Sequence, residues 1–313
     1  MGFSAIHRPH AIVFPAVPDV VVTQLTDVRP NFNYQELVER SAAEPAPQWS
    51  GAIGAAPEIA FDSRQLKTIL DLVAAGDGVC KSYAPAGGTV SVYYRQGANR
   101  GLREAVATAT HNRYDLANTA MIYWNSISAD QRGIAQIECA LRAVSTDGIA
   151  APIAHVGAIA LSGDSAVGNV YTLGPVSLNG AWLNSVVSAR LENGFTFDAE
   201  DESGNAWQQY YGIDEWNPRV TIDLMDIDTH GTIGTSGLAL TALKLYFRKL
   251  TKGTVGPVIA ATAEHIKFTA SAGTVLLQEG SGMKARYRIT MALEKPNAAT
   301  APFTVDTASA IVV

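Results

Sequence analysis

The sequence predicts a mostly β protein: two tandem copies of an antiparallel β-sandwich or barrel domain, each with at most one or two short helices. Three observations support this prediction. Apolar and polar residues alternate with a period of two over many short segments. Clusters of Gly, Asn and Asp separate those segments, as turns between strands require. Landmarks of the first part of the chain also recur, in the same order, in the second.

Composition is compatible with one large domain or two ordinary ones. The chain has 313 residues, of which 47% are hydrophobic and 17% charged, so it can bury a substantial core. No run of 18 apolar residues occurs, and no apolar stretch follows a basic head at the start. We therefore expect no transmembrane helix, no signal peptide and synthesis in the cytoplasm. Cys80 and Cys139 lie far apart, and a disulfide or a metal pair between them is disfavoured.

The clearest strands are predicted where the alternation is longest. Residues 283–293 place apolar side chains at every second position, and residues 137–143 show the same pattern in the first copy. Residues 220–224 and 243–247 alternate in the same way. Two short polar segments that contain Gly are predicted as hairpin turns, 202–205 and 279–282.

Helix is expected to be scarce. One helix is predicted in the first copy, with Asp62 and Ser63 as its cap, apolar residues at helical spacing over 66–73 and an end near Gly76. A second short helix is predicted over 103–108. The second copy has three glycines in the region equivalent to the first helix, which is therefore expected to be shortened or lost there; they are Gly231, Gly234 and Gly237.

The strongest internal similarity is between residues 107–114 and 261–268. Both read Ala-Thr-Ala-x-His, followed after one residue by a basic and an aromatic residue, and His265 follows His111 by 154 residues. Further matches occur in order at separations that fall from 163 to 150 residues: 32–34 with 195–197, Trp49 with Trp207, 57–62 with 218–223, 93–95 with 246–248, Met121 with Val275, and 151–153 with 301–303. Loops of different length would produce such a drift.

These matches predict an internal duplication. Copy 1 is assigned to residues 1–163 and copy 2 to residues 164–313, with a linker in the small, Gly- and Ser-containing stretch 162–168. His111 and His265 are interpreted as structural, hydrogen-bonded histidines of the repeated unit. Trp49 and Trp207 are interpreted as anchors of the core or of a subunit interface, with stacking on a sugar or base as the alternative.

No residue is predicted to be catalytic or to bind a cofactor or metal. The sequence has no nucleophile elbow, phosphate loop, zinc-protease motif or dinucleotide fingerprint. The stretch Asp226-x-Asp-x-His-Gly231 resembles the start of a calcium loop, but Gly237 stands at the twelfth position, where a Glu should be. We therefore predict that the protein is not an enzyme.

Charge is distributed unevenly. The net charge of −6 argues against a protein that reads nucleic-acid sequence, because such proteins need a basic surface to neutralise phosphates. Residues 190–228 carry ten acids and two bases, whereas residues 244–288 carry eight bases and two acids. Two interpretations remain open: solvated faces of two sheets, or complementary surfaces that bring identical subunits into register.

Over most of its length the chain resembles the tail tube proteins of long-tailed bacteriophages, in the form with a duplicated tube-type domain. The resemblance rests on an acidic, cysteine-poor chain without a signal peptide, on a β-sandwich-sized unit with one helix, and on the fused second copy with its 261–268 motif. It implies a structural virion protein located in the tail. Three such chains would form a ring of six similar domains, and the rings would stack around a lumen.

The resemblance also implies the partners. These are further copies of the chain, other tail proteins (tip, terminator and tape measure) and genomic DNA, which passes non-specifically through the lumen; no cofactor and no membrane anchor are implied. Four acidic residues are predicted to face the lumen or the neighbouring ring, with the inter-ring position favoured for the last: Asp198, Glu200, Asp201 and Glu202. The alternatives are a tail-tip or baseplate ring, and a duplicated β-sandwich module that binds a receptor or carbohydrate and exposes aromatic side chains.

Overall fold

The structure is a computed structural model that describes most of the chain. It describes residues 7–31, 33–39, 49–74, 78–84, 88–97, 105–116, 119–161, 168–200, 205–225, 233, 237–251, 262–279 and 287–311. Here the first half means residues up to 161 and the second half means residues from 168 onward. Both halves consist mainly of antiparallel β-strands, so the predicted mostly β fold class is confirmed.

The first half contains twelve described strands and one helix. They are β1 (His7–Phe14), β2 (Val20–Val22), β3 (Leu25–Asn31), β4 (Tyr34–Glu39), β5 (Trp49–Ala55), β6 (Glu58–Ser63), α1 (Leu66–Ala74), β7 (Cys80–Tyr83), β8 (Val90–Gln96), β9 (His111–Leu116), β10 (Thr119–Asp130), β11 (Gln136–Val144) and β12 (Ile153–Ile159).

The second half contains another twelve described strands. They are β13 (Val170–Leu178), β14 (Ala181–Trp182), β15 (Val186–Glu192), β16 (Phe195–Glu200), β17 (Tyr210–Trp216), β18 (Arg219–Leu224), β19 (Leu238–Leu240), β20 (Leu243–Leu250), β21 (His265–Ala270), β22 (Gly273–Glu279), β23 (Tyr287–Leu293) and β24 (Thr304–Ser309).

The strand order of the two halves is the same. Each half has a five-stranded sheet, β2-β1-β8-β9-β12 in the first and β14-β13-β20-β21-β24 in the second, and a hairpin, β4–β5 or β16–β17. The remaining strands form one ten-stranded sheet in the order β19-β22-β23-β18-β15-β10-β11-β6-β3, with β7 paired to the start of β10. Strand n of the first half and strand n + 12 of the second therefore occupy the same place. This agreement supports the duplication, which remains a prediction.

The ten-stranded sheet joins the two halves. The sequence predicts a sandwich or barrel in each copy, but β10 and β15 pair across the boundary, so the halves share a sheet instead of closing separately. Strands β6 and β18 both alternate strictly, with every second residue buried. One face of the sheet therefore packs on the five-stranded sheets and the helix in a common apolar core, and the other face is polar.

The predicted helix in the first half is confirmed. Helix α1 buries the apolar face that contains Leu66, Ile69 and Leu70, and the Ser63 hydroxyl accepts the backbone N–H of Gln65 (3.1 Å) just before its first turn. The second predicted helix is wrong where it is described, because residues 105–108 form turns. Most of the glycine-rich region 231–237 lies outside the described residues.

Both cysteines are buried and form no disulfide. Cys139 is fully buried in β11, and burial raises the pKa of its thiol well above the ordinary value. A buried, protonated thiol is inert, which suits a core residue better than a reactive one.

Candidate assembly interface

The junction between β10 and β15 is a regular antiparallel ladder. It runs from the pair Ser126–Glu192 to the pair Asp130–Ser188. Backbone hydrogen bonds flank it at both ends, from Asn193 N–H to Asn125 C=O (2.9 Å) and from Gln131 N–H to Val187 C=O (2.7 Å). Because hydrogen-bonded pairs alternate in such a ladder, the N–H groups of residues 189 and 191 also point at β10.

Side chains from both halves meet behind this ladder. Trp124 of β10 is fully buried, with its ring centroid 5.7 Å from that of Phe303 and 6.3 Å from that of Phe268. Trp216 contacts Phe303 from the other side at 5.7 Å. Aromatic pairs of this kind contribute about 0.5–1.5 kcal/mol each beyond their buried area. The junction is therefore part of the core.

The hairpin β16–β17, here called the second-half arm, lies on the first half. Its Phe197 ring is 4.7 Å from the Tyr123 ring, and its Phe195 ring is 6.3 Å from the same ring. The Arg142 guanidinium lies 4.2 Å from the centre of the Phe197 ring and 5.7 Å from that of Tyr211, in cation–π geometry. The arm thus covers a patch of the polar face of the sheet with aromatic side chains.

A carboxylate completes the contact under the arm. Glu58 accepts hydrogen bonds from Arg142 Nε (2.8 Å) and from the Tyr123 hydroxyl (3.0 Å). Burial raises the pKa of Tyr123, and the negative charge of Glu58 raises it further, so the hydroxyl stays protonated and donates. The ion pair is about three-quarters buried, which makes it costly to break from one side only.

The segment 206–208, which lies between β16 and β17 of the second-half arm, also docks on the first half. Ala55 exchanges two backbone hydrogen bonds with it, donating to Ala206 C=O (3.0 Å) and accepting from Gln208 N–H (3.1 Å). The carbonyl of Gly148 accepts the N–H groups of both Ala206 and Trp207 (3.0 Å each). The end of the arm at which β16 and β17 are connected is therefore tied to the first half by backbone bonds.

Asp147 shapes the loop that presents the Gly148 carbonyl. Its carboxylate accepts the backbone N–H groups of Ala150 and Ile149 and the hydroxyl of Ser145, each at 2.9 Å. These hydrogen bonds lower the pKa of Asp147, because they favour its charged form.

The polar face of the ten-stranded sheet carries paired charges. Arg29 lies 3.1 Å from Asp27 and 3.7 Å from Asp62, and Arg288 lies 2.8 Å from Asp223. Arg190 lies 2.7 Å from Glu192 in its own strand and 3.9 Å from Glu138 across the junction. Exposed pairs contribute only about 0–1 kcal/mol each. Arg288 and Asp223 come from the basic and the acidic stretch, so part of the segregated charge pairs within one chain.

Two long strands of this sheet, β3 and β22, each have an edge that the described strands leave wholly or partly open. Strand β3 pairs with β6 alone, so its other edge is open. Strand β22 pairs with β23 along its whole length, but on its other side β19 covers only residues 273–275. Open strand edges are templates for pairing with another chain.

The two predicted histidines occupy the same structural position. His111 is fully buried; its Nδ1 accepts the N–H of Gln96 (3.1 Å) and its Nε2 donates to the Ala105 carbonyl (2.9 Å). His265 is also fully buried, and its Nδ1 accepts the N–H of Lys249 (3.3 Å). Each histidine ties the end of one strand to the start of the next.

The two predicted tryptophans do not occupy corresponding positions. Trp49 opens β5 and pairs with Glu39, whereas the residue that opens β17, opposite Glu200, is Tyr210. Trp207 is half-buried and forms an isolated bridge with Ala55, between the halves. The side chain of Trp49 lies outside the described part of the structure.

Of the predicted acidic residues, Asp198 and Glu200 belong to the second-half arm and not to the ten-stranded sheet. Asp198 is exposed on β16, opposite Gly212. Glu200 ends the same strand, and its side chain is not among those described. Asp201 and Glu202 lie outside the described residues, as do most of both predicted hairpin turns.

Among the described residues, no group of three or more His, Cys, Asp or Glu side chains could hold a metal ion. The calcium-like stretch 226–230 lies outside that part. No described helix is long and apolar enough to cross a membrane.

Sequence reasoning missed the residues that join the halves. Trp124 and Arg142 belong to no motif, and Glu58 lies in the matched segment 57–62 but was not singled out. A signal was available in Arg142, the one charged residue within the apolar segment 139–144, since a charge in such a segment needs a partner.

Comparison with known proteins assigns the chain to no family. No family model matches the sequence, and neither does any curated protein.

Proposed function

We propose that the protein is a structural subunit of a bacteriophage tail tube, in which three chains close into a ring and rings stack around a lumen that conducts DNA. The observation that carries the proposal is the ten-stranded sheet. It runs through both halves, buries one face, exposes a polar face and ends in open edges. A sheet of this kind is suited to be one segment of a larger closed wall.

Ring closure is supported by the direction of the contacts. Within the chain, β10 of the first half meets β15 of the second, a head-to-tail contact between unlike surfaces. Repeated head-to-tail contacts close into rings, and stacked rings give filaments. Closure would also pair the open edges of β3 and β22, which removes a liability of the isolated chain.

The charges of the polar face suit a wall that DNA passes without binding. Arg29, Arg190 and Arg288 each have a carboxylate within 3.1 Å. Non-specific binding of DNA depends on cations that can neutralise phosphates. Paired arginines present little net positive charge, so a lumen lined by this face would attract DNA weakly.

Location in the virion tail and contacts with the tip, terminator and tape-measure proteins belong to the same proposal. A second candidate is a module that binds a receptor or carbohydrate. Tyr34 and Tyr210 favour it, because their side chains are 57% and 62% exposed, and exposed aromatic rings stack on sugars.

Electron microscopy of the purified protein separates the two candidates. We expect rings with an open centre or hollow filaments in negative stain, and the mass of an isolated ring should equal three chains. A protein that stays monomeric at every concentration and binds glycans through Tyr34 or Tyr210 would reject the tube.

A further inference from the structure

We infer that the junction between β10 and β15 inside the chain is repeated between chains, with the open edge of β3 from one copy pairing with the end of β22, at Gln278 and Glu279, from another. The partner is thus a second copy of this protein, and its contact surface is defined residue by residue. The inference rests on the proposed head-to-tail assembly and on the repeated strand order, but not on a role in a phage tail.

Strand β3 corresponds to β15 in every detail of its pairing. Asn31 and Pro30 lie opposite Glu58 and Ile59 of β6, just as Glu192 and Leu191 lie opposite Arg219 and Val220 of β18. A bulge interrupts both ladders at the same place, between Leu25 and Asp27 in β3 and between Val186 and Ser188 in β15. Arg29 and Arg190 are the same residue type at the same position.

Corresponding side chains are less buried in β3 than in β15, because β3 lacks a described neighbouring strand on one side. In β15, which has a strand on both sides, Ala189 and Leu191 are buried. In β3, which has a strand on one side only, the corresponding Val28 is half-buried and Pro30 is exposed. A strand placed against the open edge of β3 would give it the cover that β15 has.

Strand β22 corresponds to β10. In β10, Ile122 lies opposite Leu141 of β11, and Ser126 lies opposite Glu138. In β22, Val275 lies opposite Met291 of β23, and Gln278 lies opposite Arg288. Leu141 and Met291 correspond in turn, since they lie opposite Ile59 and Val220. Ser126 therefore corresponds to Gln278, and Ile127 to Glu279.

These correspondences give the register of the contact between chains. Inside the chain, Ser126 faces Glu192 and Ile127 faces Leu191. Between chains, Gln278 of one copy is expected to face Asn31 of the other, and Glu279 is expected to face Pro30.

The hairpin β4–β5, here called the first-half arm, supplies a second contact. In the second-half arm, Phe195 packs on Tyr123. The residue that corresponds to Phe195 is Tyr34, because Tyr34 lies opposite Ala55 as Phe195 lies opposite Trp216. The residue that corresponds to Tyr123 is Leu276. Tyr123 lies opposite Ala140 of β11, and Leu276 lies opposite Thr290, which holds the same position in β23.

Tyr34 and Leu276 are both exposed, although both are large and apolar. Their side chains are 57% and 48% exposed in the single chain. Their counterparts pack against each other under the second-half arm. The exposure of both residues is explained if Tyr34 of one copy covers Leu276 of the next.

The contact between chains is expected to be weaker than the one within the chain. Inside the chain, Arg190 lies 3.9 Å from Glu138 across the junction. The corresponding residues between chains are Arg29 and Arg288, both cationic, although each already pairs with carboxylates of its own chain. Pro30 also removes one backbone donor, because the N–H of its counterpart Leu191 points at β10.

Disulfide cross-linking tests the contact directly. Two single variants, Tyr34→Cys and Leu276→Cys, are purified separately, mixed and oxidised; the native cysteines are buried and contribute little background. We expect the mixture to yield a covalent dimer of the two variants, because the proposed contact brings these side chains together. A matched control mixes Leu276→Cys with Thr89→Cys, an exposed residue next to the five-stranded sheet of the first half, and should not yield it.

A second variant, Leu276→Lys, keeps the test independent of the cross-link. Because Leu276 is exposed in the single chain, the variant should keep the circular-dichroism spectrum of the wild type, while its native mass should shift from three chains to one. The inference is overturned if the variant assembles normally, if the wild type is always monomeric, or if assembled protein gives no cross-link above the control pair. Cross-linked rings that never stack would uphold the contact and reject the tail tube, so the two failures are distinguishable.

Discussion

The indole ring of Trp124 lies 5.7 Å from the phenyl ring of Phe303, and the two residues come from opposite halves of the chain. Trp124 is fully buried there, beside the ladder that joins β10 to β15. A side chain of the first half thus completes the core of the second. We expect the two halves to unfold together, since neither can keep this cluster packed alone.

Replacing Trp124 should destabilise the whole chain. We expect Trp124→Ala to lower the free energy of unfolding by about 3–5 kcal/mol, through lost burial and the cavity left behind. Trp182→Ala is the control, because Trp182 is half-buried in the short strand β14 and contacts Tyr246 at 6.1 Å. Urea denaturation measures the free energy of unfolding of both variants. Equal losses would contradict the conclusion that Trp124 packs in a core shared by the two halves.

The Arg142 contact under the second-half arm should be coupled to Phe197. Arg142→Met leaves Glu58 without its cationic partner, and we expect a loss of about 1–3 kcal/mol. A double-mutant cycle with Phe197→Leu should give a coupling of about 0.5–2 kcal/mol from the cation–π contact. Arg288→Met, which breaks a more exposed pair, should stay within about 1 kcal/mol of the wild type. Additive effects of Arg142 and Phe197 would argue against the contact.

His111 should be needed for stability and not for any reaction. His111→Phe leaves the Gln96 N–H and the Ala105 carbonyl without their partner. Each unsatisfied group should lower the free energy of unfolding by about 1–3 kcal/mol. His155→Phe changes an exposed histidine that stacks on Tyr114 at 5.5 Å and should be nearly neutral. Thermal unfolding at neutral pH compares the two variants. A larger loss of stability for His155→Phe than for His111→Phe would contradict the role of His111 in stability.

Asp62 should make stability depend on pH. Burial raises its pKa and the negative charges of Glu138 and Asp27 add to this, while Arg29 opposes it. A raised pKa in the folded state means that protonation favours folding, so this contribution is present at acid pH and lost as pH rises through the folded pKa.

Asp62→Asn removes that dependence. The variant should be more stable than the wild type at neutral pH, and the gain should vanish below the ordinary pKa of 3.8. Asp130→Asn, at an exposed position, is the control. Urea denaturation between pH 3 and pH 7 measures both, and a gain that grows toward acid pH would have the wrong sign.

The local patterns were readable from the sequence because their causes are local. Alternation predicts strands such as β18 and β23, and the Asp62–Ser63 cap predicts α1. The repeated His motif found the two equivalent histidines. Each of these signals depends on residues within a few positions of one another.

The register of β10 was not readable. The sequence match pairs Met121 with Val275, whereas the ladders pair Ile122 with Val275, one residue away. Residues 120–124 are buried on both faces, because the second-half arm covers the face that is normally solvated. Without polar residues to mark one face, a strand gives no signal for register.

The match of Trp49 with Trp207 failed for a related reason. Residue identity suggested it, but the position of Trp207 follows from its bridge to Ala55 in the other half. The junction between β10 and β15 has no local signature at all, because it depends on pairing between distant segments.

Pro30 limits what an isolated chain can aggregate with. Two β3 edges that met antiparallel would form a symmetric ladder with two missing donors, one from each Pro30, whereas a β22 edge opposite β3 meets only one. Each missing hydrogen bond costs about 1 kcal/mol, so self-association through like edges is penalised twice as heavily as head-to-tail pairing. A single proline at this edge position thus disfavours association through like edges more strongly than the proposed pairing of β3 with β22.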